Sequence, residues 1–288
     1  MQWGQIKTIF IISFLILNLF LVQELIEKIN EADLDKISRS TIQEQLEAQG
    51  ITFENLPESG LKEVYVTAKR YQLTEEDLQA LDAKIDADEQ TIGVDTAQEV
   101  IASQYVEPLD LNLEESFDES IAKIKESVLY GGTFKFWDYY EEENALLFFQ
   151  EQNNRTVYFN ETGVLLVVLN EEGDAIQYRQ TLLEEVVHNS EEQTVVDPIN
   201  AIFELYSNNV LNYEDNISNM KIGYHTLLPL EDGVQVFVPT WEITVNKEDT
   251  YFVNAMEAQY IPNNEIDFVI KLKEFLKREI EELKNRSE

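Results

Sequence analysis

The chain has 288 residues, 56 of them acidic against 21 basic, for a formal net charge of −35, and it contains no cysteine. Such a charge argues against binding nucleic acid or the anionic polymers of a cell wall or lipid surface, and the missing thiols exclude disulfide staples and lipid attachment through cysteine. With 44% hydrophobic and 11% aromatic residues, the chain can nevertheless bury real cores and is no disordered acidic tail.

Trp3–Val22 reads WGQIKTIFIISFLILNLFLV, with Lys7 its only charge. The uncharged stretch from Thr8 is somewhat shorter than the ~20 residues of a spanning helix. Trp3 and Lys7 extend it, because an indole sits well among headgroups and a lysine snorkels toward them. A cleaved signal peptide would need small residues around a cleavage site, and Leu21-Val22-Gln23-Glu24-Leu25 offers none. The segment is therefore expected to be an uncleaved signal anchor. Lys7 and the terminal amine precede it, and Glu24, Glu27, Glu31, Asp33 and Asp35 follow it. The positive side stays inside, which puts the N-terminus in the cytoplasm and the bulk of the chain outside a cell membrane crossed once. At ~100° per residue, Gly4, Thr8, Ile11, Leu15, Asn18 and Val22 fall on one face. Small and polar members of that stripe suit contact with a partner helix, since an amide in hydrocarbon needs a hydrogen-bond partner. The alternative is that Asn18 lies near the outer end of the span and reaches water.

About 260 residues remain outside, enough for two modest domains. The segment 25–40 keeps helical spacing at Leu25 and Ile29 and is expected to continue the anchor outward as a linker. Thr41–Gln49 reads as a short helix stopped by Gly50, and Ile51–Leu56 and Glu63–Lys69 as strands. Thr74-Glu-Glu-Asp77 caps a helix over Glu75–Ile85, and Asp95 is expected to cap another over Thr96–Tyr105. Glu119–Leu129 is a further helix, stopped by Gly131-Gly132. From there the period is two: Thr133–Tyr140, Ala145–Gln150, Thr156–Asn160, Val164–Asn170 and Ala175–Thr181 form an antiparallel meander. Asp197 and Pro198 then open a helix over Ile199–Val210, followed by strands at Lys221–Leu228, Val234–Val245 and Thr250–Ala258. Helix followed by meander thus occurs twice, at 119–181 and 197–261. The expected class is α+β: an anchor (1–24), a linker (25–40), a first α+β domain (41–188), a second (189–264) and a charged C-terminal helix (265–288). In that helix Val269, Leu272, Leu276, Ile280 and Leu283 make one narrow stripe. It either docks on its own domain or offers an exterior seam to a partner.

Chemistry is hard to find. The histidines, His188 and His225, lie in different units without zinc spacing; His225 suits a half-buried strand position and His188 a solvated connector. No nucleophile elbow, phosphate loop or dinucleotide fingerprint occurs. Gly131-Gly132 precedes a strand, whereas a phosphate cradle needs a helix after it. The carboxylates of Asp82–Asp95 lack the spacing of a calcium loop. Among 56 acidic residues close pairs arise by chance, so an acidic hydrolase is a remote reading. Aromatic residues gather at Phe134, Phe136, Trp137, Tyr139 and Tyr140 and at Phe237, Trp241, Tyr251 and Phe252, mostly as core. No catalytic, metal or cofactor site is expected.

The opening MQWGQIKTIFIISFLILNLFLV and the run GYHTLLPLEDGVQVFVPTWEITVNKEDTYFVNA resemble the YycI family of regulatory membrane proteins, in length, single anchor and cysteine-free exterior alike. The later run, with Pro239-Thr-Trp241 and then Tyr251-Phe-Val-Asn-Ala255, also resembles the small PepSY α+β module, although Ala258 stands where that module has a small Gly. The resemblance implies a non-enzymatic regulator of Gram-positive bacteria. It would pair outside the membrane with the related anchored protein YycH and modulate the cell-wall sensor histidine kinase WalK through membrane-helix contacts. The alternative is an extracytoplasmic module that binds or inhibits a peptide or a peptidase.

Overall fold

The computed structural model describes residues 13–14, 17–18, 21, 39–86, 90–95, 97, 99–188, 191–229 and 233–287. Along the chain run α1 (residues 39–48), β1 (Thr52–Phe53), β2 (Lys62–Glu63), β3 (Val66–Lys69), α2 (Glu75–Asp86), β4 (Gln90–Val94), β5 (Val100–Leu109) and α3 (Phe117–Ser127). There follow β6 (Phe134–Tyr140), β7 (Ala145–Gln152), β8 (Arg155–Tyr158), β9 (Val164–Leu169), β10 (Ala175–Thr181), β11 (Val187–His188) and β12 (Gln193–Thr194). The last elements are α4 (Pro198–Ser207), β13 (Asn216–Pro229), β14 (Val234–Val245), β15 (Asp249–Asn254), β16 (Gln259–Ile261) and α5 (Glu265–Ser287). The fold is mixed α+β, built around one large sheet.

The sheet has two halves. In the first, β6-β7-β9-β10-β5-β4 are all antiparallel neighbours. Alternate residues point to opposite faces, and both faces are covered. Leu146, Phe148, Leu165 and Val167 face α2 and α3 through Leu81, Ile121 and Ile124. Leu147, Phe149, Val164 and Leu166 face α5 through Val269 and Leu272. This is why Val164–Leu169 reads VLLVVL without alternation, as strands covered on two sides do. In the second half β3-β14-β13 and β15 carry α1 and α4 on one face, where Leu46, Ile199, Ile202 and Leu205 pack on Ile217, Ile222, Trp241 and Ile243. Segments on either side of residue 188 share this half: β3 lies between β11 and β14, and Leu46 of α1 joins the cluster of α4.

Among the described residues a short strand, β8, joins the halves, and an isolated antiparallel bridge between Arg70 and Leu183 links them again. β8 pairs antiparallel with the end of β7 and parallel with β13. Asn153 and Asn154 turn β7 into β8 with φ of 49° and 64°, the two left-handed positions of a tight hairpin. Gly223 lets β13 come close: a Cβ there would sit 2.6 Å from the Thr156 carbonyl and 2.3 Å from the Tyr158 ring.

Two expectations are corrected. The described residues of Thr96–Tyr105 form no helix, and Val100–Tyr105 is strand. Asp95 closes a hairpin instead, its Oδ1 accepting from the backbone N–H of Glu99 (2.7 Å) and Val100 (2.9 Å), and β5 runs on as a central strand between β4 and β10. Buried on both faces over its first four residues, β5 shows no period of two, and its apolar residues mimic helical spacing. Second, the stripe on α5 offers no partner seam. Val269, Leu272 and Leu276 are at most 1% exposed, Ile280 is 5% exposed, and Leu283 is half-buried over Gly93. The helix needs these residues to cover the second face of the first half-sheet. No helix among the described residues is long and apolar enough to cross a membrane; the expected anchor, Trp3–Val22, lies mostly outside the described residues.

Candidate functional site

The two halves part beside β8, and the wedge between them is aromatic. Trp137, Phe149, Tyr158, Phe159 and Phe252 pack with ring centroids 4.8–6.2 Å apart, and Phe268 of α5 closes the group 5.4 Å from Phe159. Trp137 enters because β6 carries a bulge between Phe136 and Asp138, which re-aims a side chain that a regular strand would direct elsewhere.

Polar groups fasten the wedge. The Trp137 indole N–H (3.2 Å) and the Tyr140 hydroxyl both donate to Oε2 of Glu265, the first residue of α5. Burial first, and the Glu265 carboxylate second, hold the Tyr140 phenol far above its ordinary pKa. Across the wedge the buried Tyr158 hydroxyl donates to Glu242, which also takes Lys221 Nζ at 2.9 Å. Burial and the same carboxylate keep Tyr158 protonated. Lys221, Glu242 and Phe252 are register partners on β13, β14 and β15, so one cross-strand row carries the ion pair and the ring beneath it.

Outside the wedge lies a cleft of about 460 Å³, in the size range of small-ligand sites. Residues 135–138 of β6 line one side and residues 248–251, the β14–β15 turn and the start of β15, line the other; Lys221, Glu242, Thr156 and Glu265 form the floor and end. Two of the lining carboxylates are engaged, Glu242 by Lys221 and Tyr158 and Glu265 by Trp137 and Tyr140.

Of the residues singled out from sequence, Gly4, Thr8, Ile11, Leu15 and Val22 lie outside the described residues. Asn18 is described, and its side-chain N–H donates to the Phe14 carbonyl at 2.9 Å, one turn earlier. Part of the amide's demand is thus met by its own helix, without a neighbour. His225 lies 6.1 Å from Phe252 at the wedge, where burial lowers its pKa; His188 is exposed in the two-residue β11. Sequence reasoning missed the cleft, although its Lys135–Asp138 and Asp249–Tyr251 walls belong to the two aromatic clusters read from sequence. The signal lay in those clusters flanking charged positions, but their meeting depends on the parallel β8–β13 pairing.

A family model described as YycI protein matches residues 30–256 of the chain. No curated protein matches it. Among solved structures, an uncharacterized protein from Eubacterium rectale ATCC 33656 is 8% identical, with a TM-score of 0.42 over 75% of this chain and 91% of that one. The Bacillus megaterium YpeB C-terminal domain is 11% identical, with a TM-score of 0.37 over 66% of this chain and 96% of that one. YycH from Bacillus subtilis is 14% identical, with a TM-score of 0.40 over 70% of this chain and 54% of that one.

Proposed function

The chain belongs to the YycI family, and from that premise we propose that it is a membrane-anchored, non-enzymatic regulator of the sensor kinase WalK. The family match over residues 30–256 carries the reading. The regulator acts with a YycH-type partner, and its influence on the kinase passes through the N-terminal span. Support for the anchor comes from the chain itself. Thr8–Val22 is uncharged, and Phe14, Leu17 and Leu21 are 60%, 52% and 51% exposed, a costly arrangement in water and a favourable one in lipid. Support for a non-enzymatic role is the match to a regulatory family. Exterior domains that bind rather than catalyse, the second of PepSY type, fit the same reading. Orientation follows the charges: a short cytoplasmic end and an extracytoplasmic bulk.

Copurification tests it. The tagged full-length chain, taken from native membranes in a gentle detergent, is expected to bring down the sensor kinase and the YycH-type protein together. Recovery of a secreted peptidase with no kinase would favour the binding-module alternative and count against this one.

A further inference from the structure

Strand edges, more than side chains, define the cleft described above. Successive residues of a strand point to opposite faces, so a cavity on one face touches every second residue. Here four consecutive residues of β6, Lys135–Asp138, and three of β15, Asp249–Tyr251, line the same cavity, as happens when strands are met edge-on. Among the described residues β6 pairs with β7 alone, and β16 covers β15 only from Phe252 onward. Two edges without strand partners therefore flank one slot, and their backbone N–H and C=O groups are available to an added strand.

The occupant follows from charge. Asp138, Glu242, Glu248, Asp249 and Glu265 line the slot against Lys135 and Lys221. Both lysines are already engaged, Lys221 with Glu242 at 2.9 Å and Lys135 with Glu151 at 3.5 Å. Glu248 and Asp249 are exposed at the mouth. A second copy of this chain, with its own net charge of −35, would be repelled. The bulge at Trp137 and the charges on β6 also deter pairing of long edges. We propose that the slot binds a short, extended, positively charged peptide segment, its main chain paired with the edge of β6 and its cationic side chains set against Asp138, Glu248 and Asp249. The site is independent of the kinase reading and can stand or fall without it.

The test uses the full-length protein in detergent and the probe acetyl-Lys-Val-Lys-Val-Lys-amide carrying a fluorophore. Comparison is with the same peptide N-methylated at alternate amides, which keeps its charge and loses main-chain donors. Binding is expected to weaken about tenfold on N-methylation, the loss of one or two net hydrogen bonds. It is expected to weaken similarly in Glu248→Lys/Asp249→Lys and to be unchanged in Glu171→Lys/Glu172→Lys, an exposed acidic turn elsewhere. Amide hydrogen exchange is expected to slow at residues 134–138 and 249–251. Equal affinity for the N-methylated peptide, equal weakening by the two charge reversals, protection confined to other segments, or no binding of the probe would each overturn the proposal.

Discussion

Arg179 shows what a single buried charge does in this molecule. Its side chain is 5% exposed, its Nε meets Glu279 Oε1 at 3.2 Å, and its guanidinium lies 5.4 Å above the Phe275 ring. Nη1 of Arg179 and Oε2 of Glu279 are buried without hydrogen-bond partners, so the pair ties α5 to β10 at some cost. Burial raises the pKa of Glu279 against the pull of Arg179. A raised carboxylate pKa means that the folded state holds the proton more tightly than the unfolded chain. Its contribution to stability is fully present below the ordinary carboxylate value and is lost as pH rises through the folded one. Arg179→Met is expected to destabilise the protein by about 3 kcal/mol at pH 7, measured by chemical denaturation. The penalty shrinks on acidification, because Glu279 without its cation protonates at still higher pH. A penalty independent of pH would show that the two groups are uncoupled. Arg179→Met/Glu279→Met is expected to recover most of the loss. Local chemistry of this kind is partly legible in sequence. Thr74-Glu-Glu-Asp77 is a capping box in the structure as read, with the Asp77 carboxylate accepting from the Thr74 N–H at 2.8 Å and the Asp77 N–H donating to the Thr74 hydroxyl at 3.2 Å. Asp95 carries the same kind of side chain in a similar setting and closes a hairpin. The expected Gly near the end of the second meander is Ala258 with φ of 52°, a left-handed position that Asn254 supports by accepting from the N–H groups of Met256 and Glu257.

Elements with a clear period read correctly, and those whose pattern tertiary packing erases did not. β14 spans Val234–Val245, as expected, because one of its faces meets α1 and α4 and the turn residues on either side are strong. β4 went unread: it is short, follows an acidic stretch and contains Gly93, whose lack of a side chain accommodates Leu283 of α5. Two glycines therefore test how elements close on one another. Gly223→Ala would drive a Cβ into the Thr156 carbonyl and the buried Tyr158 ring; neither can move without breaking the β8 bridge, and a loss of about 3 kcal/mol is expected. Gly93→Ala would set a Cβ 1.8–2.4 Å from Cδ1, Cδ2 and Cγ of the half-buried Leu283, a flexible side chain near the end of α5 that can rotate away, and about 1 kcal/mol is expected. Thermal unfolding of the two variants checks this order, and the reverse order would mean that α5 docks more tightly than β8 bridges.

At the scale of the whole molecule, the twofold run of helix and meander pointed to the α+β class, but not to the continuous sheet. That continuity rests on β8, a four-residue strand whose parallel partner lies more than sixty positions away, and no local pattern records such a pairing. The same long-range closure makes the cleft. The proposed route to the kinase, unlike the family membership, rests on the N-terminal stretch from Trp3 to Val22. Asn18 bonds back to Phe14, so Asn18→Leu removes only part of any contact with a partner helix, worth ~1 kcal/mol and a change in kinase output of about fivefold at most. Exchange of the entire stretch for an unrelated apolar span removes all of it. The decisive measurement is phosphorylation of the response regulator served by WalK in cells that carry the native chain or this exchange at equal expression, the exterior confirmed as folded. A changed phosphorylation level with the foreign span is the result predicted here; a level identical to that with the native span would contradict the account.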